Sequence, residues 1–320
     1  MKKIIKALFT LLLVIAIIFP SAILGGCSKK DDGEIKILCT VFPLYDWARN
    51  VVGDTEGVSV QLLVKNGTDI HSYQPSFADT AAIKDSDAVL YVGGVSDAWV
   101  EEAMAESTKA IKLSETEGVT LYEVSAHSIA EEHSHNHGQH DNFDEHIWLS
   151  VRNAAASVEA ICNTLSEIDV ENTSAYRENT DAYKQKLTEI DQKMETLSKS
   201  INEPLIFADR FPFVYLFEDY SIDYYAAFEG CTTEKDANFD TVIALSKRLD
   251  DSKCGRLFTT EAPDKELVDS VLRKSSSNSQ TAKLDSMQSL GGADVENSSY
   301  LNIMERNVSV LRQIFTKAED

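Results

Sequence analysis

The sequence predicts an α/β protein of two similar lobes, each built on a parallel sheet, and three observations carry that prediction. From residue 35 onward, short β-rich runs alternate with helical stretches. The same rhythm restarts at residue 205, and between the two stands one long amphipathic stripe without Gly or Pro. In order, the first cycle reads as a strand at 35–41, a helix at 44–52, a strand at 58–64, a helix at 77–85, a strand at 88–92 and a helix around Trp99. In the second cycle come strands at 205–208 and 222–228, a helix at 241–249, a strand at 256–260, a helix at 265–273 and a strand at 282–284. Between the cycles, Tyr176, Tyr183, Leu187, Ile190, Met194 and Leu197 fall on one helical face. A helix from 173 to 199 is on the order of 40 Å long at the α-helical rise. Joining two lobes by one stiff helix predicts modest lobe motion rather than wide closure. A last stripe, Leu301, Met304, Val308, Leu311 and Phe315, predicts a packing helix at the C-terminal end.

Composition narrows the function. Of 320 residues, 43% are hydrophobic, enough for a sizeable core, and 52 acidic residues against 30 basic ones give a formal net charge of −22. Such a surface repels phosphate backbones and attracts cations, which argues against nucleic acid as a partner.

The N-terminus predicts export. Lys2, Lys3 and Lys6 precede an apolar run at 7–19 interrupted only by Thr10, and Pro20 and Ser21 end it. Leu24-Gly25-Gly26-Cys27 then resembles a bacterial lipobox, so 1–26 is expected to be a lipoprotein signal peptide, Cys27 the lipidated residue and 27–34 the tether. At about 0.8 kcal/mol per buried CH₂, two or three acyl chains hold a protein on a membrane almost permanently. The other four cysteines, Cys39, Cys162, Cys231 and Cys254, form no C-x-x-C pair. Cys39 and Cys231 both follow predicted strands, one per lobe. An inter-lobe disulfide, a position near a metal, and two separate buried thiols are the readings open for them.

All seven histidines lie between residues 71 and 146. His127, His133, His135, His137 and His140 share the 126–145 segment with several acidic residues and no apolar period, the composition of an auxiliary metal-binding loop. His71 stands in the turn-rich stretch Asn66 to Pro75 after a predicted strand, where α/β sheets place their ligands. His146 stands in Asp144-Glu145-His146-Ile147-Trp148-Leu149, just before a helix.

Thr40-Val41-Phe42-Pro43-Leu44, the Gly67-to-Pro75 loop, the Asp144-to-Leu149 motif after an acidic His-rich loop, and the two-lobe plan resemble the ZnuA/TroA substrate-binding proteins of zinc and manganese ABC importers. The resemblance covers nearly the whole chain after the signal. It implies an N-terminal lobe at 35–150, a helical segment at 151–200, a C-terminal lobe at 201–320 and a metal site in the cleft between the lobes. It implies His71 and His146 as the first two ligands and Asp285, in Leu284-Asp285-Ser286, as a carboxylate from the second lobe. One ligand does not carry over: Arg210, in Asp209-Arg210-Phe211-Pro212-Phe213, stands where the family places a third His or a Glu. A guanidinium has no lone pair to offer. Asp209 is then the nearest candidate, with Arg210 orienting a carboxylate or merely pairing with Asp209 as the alternatives. Three protein ligands, completed by water or by the His-rich loop, are the expectation.

The function implied is that of a monomeric extracytoplasmic lipoprotein, not an enzyme, that captures Zn²⁺ in preference to Mn²⁺ and delivers it to an ABC permease and its ATPase. Two readings stay open beside it: a zinc-buffering surface adhesin and a secreted zinc hydrolase. Against the hydrolase, the sequence contains neither H-E-x-x-H nor G-x-S-x-G.

Overall fold

Among the described residues, short strands, most of them rich in Val, Ile, Leu and aromatic residues, form two sheets of four. The computed structural model describes residues 33–65, 67–123, 143–231, 238–290 and 292–316. The predicted signal peptide with Cys27, and all five histidines of the His-rich tract, lie outside the described residues. Residues Lys36–Asp320 pack as one compact unit.

The first sheet contains β1 (Ile35–Cys39), β2 (Val58–Leu62), β3 (Ala88–Tyr91) and β4 (Lys109–Lys112) in the order β2-β1-β3-β4. The second contains β5 (Leu205–Phe211), β6 (Tyr224–Glu229), β7 (Arg256–Thr259) and β8 (Gln280–Lys283) in the order β6-β5-β7-β8. Each order is the other shifted along the chain, so the two lobes repeat one topology. Pairing is parallel between β1 and β3, β3 and β4, β5 and β6, β5 and β7, and β7 and β8. In both sheets the strand order reverses beside the first strand, which leaves a crevice at the carboxyl ends of the strands. Strand β4 was not among the sequence expectations, because Lys-Ala-Ile-Lys buries only Ile111 and so lacks a visible period.

In the first lobe, α1 (Phe42–Val52) starts with Pro43 in its first turn, and α2 (Phe77–Lys84) starts with a capping box between Ser76 and Asp79. The short α3 (Trp99–Ala103) follows β3. Next come α4 (Val151–Ile168), capped by the Ser150 side chain, and α5 (Thr173–Ser198). All six residues of the predicted α5 stripe are buried. Helix α5 packs against α4, α1 and the C-terminal helix, so it is a shared spine rather than a free strut. The second lobe adds α6 (Val214–Glu218), α7 (Phe239–Asp251), α8 (Lys265–Lys274), α9 (Gly292–Asn297) and α10 (Tyr300–Phe315). Helix α10 buries Tyr300, Ile303, Met304, Asn307, Val308 and Leu311, a face rotated from the predicted one that leaves Leu301 and Phe315 half-buried. The rotation follows from Tyr300, whose hydroxyl donates to the Trp148 carbonyl at 2.8 Å and fixes which side of α10 faces inward.

Beneath the end of β5 lies an aromatic block of Phe207, Phe211, Phe213, Phe217, Tyr224 and Phe258, with the Phe211 and Tyr224 rings stacked at 3.5 Å. Close-packed rings hold the adjoining loops stiffly. Among the described residues, no helix is long and apolar enough to cross a membrane.

Candidate metal centre

His71 and His146 are 75 residues apart in sequence, yet their Nε2 atoms stand 3.1 Å apart. Two nitrogens bound to one tetrahedral zinc at 2.0–2.1 Å are separated by about 3.3 Å, so the observed spacing is that of two donors to one ion.

Each ring is held by the same local device. Asp69 Oδ1 accepts the His71 backbone N–H at 3.0 Å, and Asp144 Oδ1 accepts that of His146 at 2.9 Å. In both cases Asp two residues before His closes an Asx turn that fixes where the side chain leaves the loop. Beyond that the supports differ. His71 Nδ1 lies 2.8 Å from Ser96 Oγ and 3.2 Å from Glu145 Oε2, while His146 Nδ1 lies 2.7 Å from Asp144 Oδ1. A carboxylate on Nδ1 fixes the tautomer, orients the ring and makes the Nε2 lone pair a better donor.

Ser96 is itself placed by Asp97, whose carboxylate accepts the backbone N–H groups of Val92, Gly93 and Gly94 at 2.7, 2.9 and 3.2 Å. Ser96 N–H in turn donates to Glu145 Oε1 at 3.0 Å. A Cβ on Gly94 would fall 2.4 Å from that same oxygen, so only glycine lets the turn after β3 meet Glu145. Burial pushes the Glu145 carboxyl up, but the bonds and charge of His71 and the bonds of Ser96 outweigh it and hold the group down at about 2.

The second lobe approaches from the opposite side. Cys231, two residues past the end of β6, joins the two histidines, so that one donor atom from each of the three residues lies within 4.8 Å of the others. Its Sγ accepts the Glu145 N–H at 3.3 Å and lies 3.7 Å from Asp144 Oδ2 and 3.9 Å from His146 Nδ1. Burial pushes this thiol well up. The Gln288 side-chain amide reaches His146 Nε2.

The structure does not bring the other two expected ligands into this group. Asp209 faces the loop after β7: its Oδ2 accepts Thr260 Oγ1 at 2.6 Å and Thr260 N–H at 3.2 Å, and its Oδ1 accepts the Arg210 N–H. Asp285 Oδ1 accepts the Met287 N–H at 2.9 Å, and Oδ2 faces Arg306 at 3.5 Å. The Arg210 guanidinium crosses between the lobes, with Nη2 2.6 Å from Asp69 Oδ2. The carboxylate it orients is thus the one that holds the His71 loop. The disulfide expectation fails: Cys39, Cys162, Cys231 and Cys254 are all free, because Cys39 is sealed in the β1 core whereas Cys231 stands beside His146.

A family model described as "Zinc-uptake complex component A periplasmic", ZnuA, matches residues 37–314. The chain belongs to the ZnuA family. That is a family of substrate-binding proteins for zinc uptake and not of enzymes. The zinc-binding lipoprotein AdcA of Streptococcus pneumoniae is 27% identical over 309 residues, 91% of this chain and 58% of that protein. The chain therefore spans little more than half the length of these streptococcal relatives. The high-affinity zinc uptake system protein ZnuA of Bacillus subtilis is 24% identical over 304 residues, 94% of this chain and 93% of that protein. Among solved structures, the Zn(II)-bound ZnuA-like domain of S. pneumoniae AdcA has a TM-score of 0.70 at 24% identity, covering 89% of this chain and 100% of that one. The periplasmic zinc-binding protein TroA of Treponema pallidum has a TM-score of 0.71 at 19% identity, covering 89% of this chain and 100% of that one. At these identities the likeness to solved structures is one of fold, the two-lobed fold with a long central helix that the sequence predicts. The lobe arrangement of the ZnuA family thus holds here.

Proposed function

We propose that this protein is the extracytoplasmic receptor of a zinc ABC importer. It is anchored through acylated Cys27, captures Zn²⁺ in the cleft and hands it to a membrane permease driven by an ATPase. The observation that carries the reading is the 3.1 Å approach of two Nε2 atoms, each ring backed by a carboxylate on Nδ1. His71 and His146 are the nitrogen donors. Asp209 and Asp285 form part of the far wall, the first tying down the loop after β7 and the second the turn after β8. The anionic surface concentrates the cation. Manganese, which suits oxygen ligands, fits a pair of imidazoles less well than zinc does.

Isothermal titration of chelator-treated protein with Zn²⁺ tests this. One tight site per chain is expected at neutral pH, lost in His71→Ala and in His146→Ala, and weakening as pH falls because protons compete for the imidazoles. Absence of a tight site, or one indifferent to both substitutions, overturns the proposal.

A further inference from the structure

We infer that Cys231 supplies the second lobe's donor to the captured metal, as a thiolate standing in for the ligand whose family position Arg210 occupies. The inference rests on the zinc-receptor reading and deepens it, because it sets which metals the site prefers.

Elimination and placement both lead there. Arg210 has no lone pair and is engaged with Asp69, Asp209 is engaged with Thr260, and Asp285 is turned to Met287 and Arg306. Cys231 alone of the second lobe's His, Cys, Asp and Glu residues shares a cluster with His71 and His146 among the described residues. Its approach is built in: a Cβ on Gly230 would fall 2.6 Å from the Phe211 carbonyl oxygen and 3.0 Å from His146 Cε1, so only glycine lets this loop lie against the imidazole edge. Sulfur and nitrogen on one tetrahedral zinc stand about 3.5 Å apart, from bond lengths of roughly 2.3 and 2.0 Å, so Sγ, which now approaches His146 at 3.9 Å on the Nδ1 side, has to move toward the Nε2 atoms when an ion is held.

Gln288 offers a neutral amide at most. The thiolate is the donor that offsets charge on the ion. On binding, the S–H bond is replaced by an S–metal bond and the proton leaves to solvent, with no change of oxidation state. A soft sulfur beside two imidazoles favours Zn²⁺ over Mn²⁺.

Cobalt(II) is the probe, titrated into chelator-treated wild type, Cys231→Ser and Cys254→Ser, with visible d–d bands reporting occupancy. Near-ultraviolet thiolate-to-cobalt charge transfer reports sulfur ligation. Both signals are expected to saturate at one cobalt per chain in wild type and Cys254→Ser. Cys231→Ser is expected to keep the visible bands, lose the charge transfer, and bind zinc at least about tenfold more weakly, as loss of even an outer-shell partner does. Visible bands in wild type without charge transfer, or charge transfer that survives in Cys231→Ser, overturn the thiolate while leaving the receptor reading intact. No cobalt or zinc binding at all overturns both. The wild-type spectrum decides even if the serine variant fails to fold.

Discussion

The ion pair between Arg210 and Asp69 joins the lobes at the root of the His71 loop, and breaking it should be felt in both stability and metal capture. Its Nη2–Oδ2 distance is 2.6 Å, and the side chains are 17% and 15% exposed. With charge centres about 4 Å apart and an effective dielectric near 20, the gross attraction is about 4 kcal/mol. Desolvation of two mostly buried groups removes part of this, and hydrogen bonds to charged groups contribute about 1.5–3 kcal/mol net, so a coupling energy near 2 kcal/mol is expected. The assay is a double-mutant cycle of Arg210→Ala and Asp69→Asn, unfolded in urea without zinc. Asparagine keeps an oxygen for the His71 N–H, so the cycle isolates the charge pair. Zinc titration of the same proteins should show both single variants weakened, because each loosens the loop that aims His71. A coupling energy under about 0.5 kcal/mol, the ordinary scatter of non-interacting sites, would refute the reasoning.

Trp148 Nε1 donates to the Ser286 carbonyl at 2.9 Å across the cleft, and Trp148→Phe, which leaves that carbonyl buried and unpaired, should cost about 1–3 kcal/mol by urea unfolding. Gly230→Ala should lower the thermal midpoint and weaken zinc together, since its methyl group meets backbone at 2.6 Å; an unchanged affinity would show that this loop does not approach the ion. Deleting residues 127–140 should leave the tight zinc site in calorimetry and remove only weaker secondary binding. Asp46 is buried against Tyr300 N–H at 3.1 Å and the Tyr183 hydroxyl at 3.2 Å, and burial raises its pKa above the ordinary 3.8. Between 3.8 and that raised value the native state holds more protons than the unfolded chain, so Asp46's contribution to stability is full below this window and is lost as pH rises through it. In zinc-free unfolding from about pH 4 to about pH 7, wild type should lose stability relative to Asp46→Asn; a flat difference would show that Asp46 does not titrate there.

Most of the fold was legible because its elements carry strong periods. The α5 stripe is buried as spaced, and the predicted strands recur with ends shifted by a few residues. What escaped was weakly patterned: β4, and the face of α10, which a single buried hydroxyl sets. In the site, His71 stood out in a loop after a predicted strand, where α/β sheets place ligands, and His146 in the Asp144-to-Leu149 motif before a helix. Their supports did not, because Ser96, Glu145 and Asp97 meet only through tertiary contact. One signal was nonetheless available: Asp two residues before His occurs at both Asp69–His71 and Asp144–His146, and in both the Asp fixes the His backbone. The proposed donor from the second lobe could not be read from spacing, since Asp209 and Asp285 are carboxylates whose hydrogen-bond donors, Thr260 and Met287, only the fold reveals.

The same contacts bear on how an ion held this well is released. The lobes are tied by the α5 spine, the Trp148–Ser286 bond, the Arg210–Asp69 pair and Gly67 N–H to the Leu290 carbonyl at 3.0 Å. Opening the whole cleft would break several of these at once, at about 1–2 kcal/mol each. The nitrogen donors are braced by carboxylates at 2.7–3.2 Å, whereas Cys231 has, among the described residues, only the long sulfur contacts to Glu145 N–H, Asp144 and His146, and Gln288 reaches the ring from a loop. Under the receptor reading proposed above, a rearrangement confined to Gly230, Cys231 and Gln288 removes the second lobe's contacts and leaves two imidazoles, too few to retain zinc tightly. Release through those contacts leaves the ties between the lobes intact, whereas release by lobe opening requires the spine to bend. The first is the smaller disturbance, so under the proposed function the sensitivity of metal release falls on Gly230, Cys231 and Gln288.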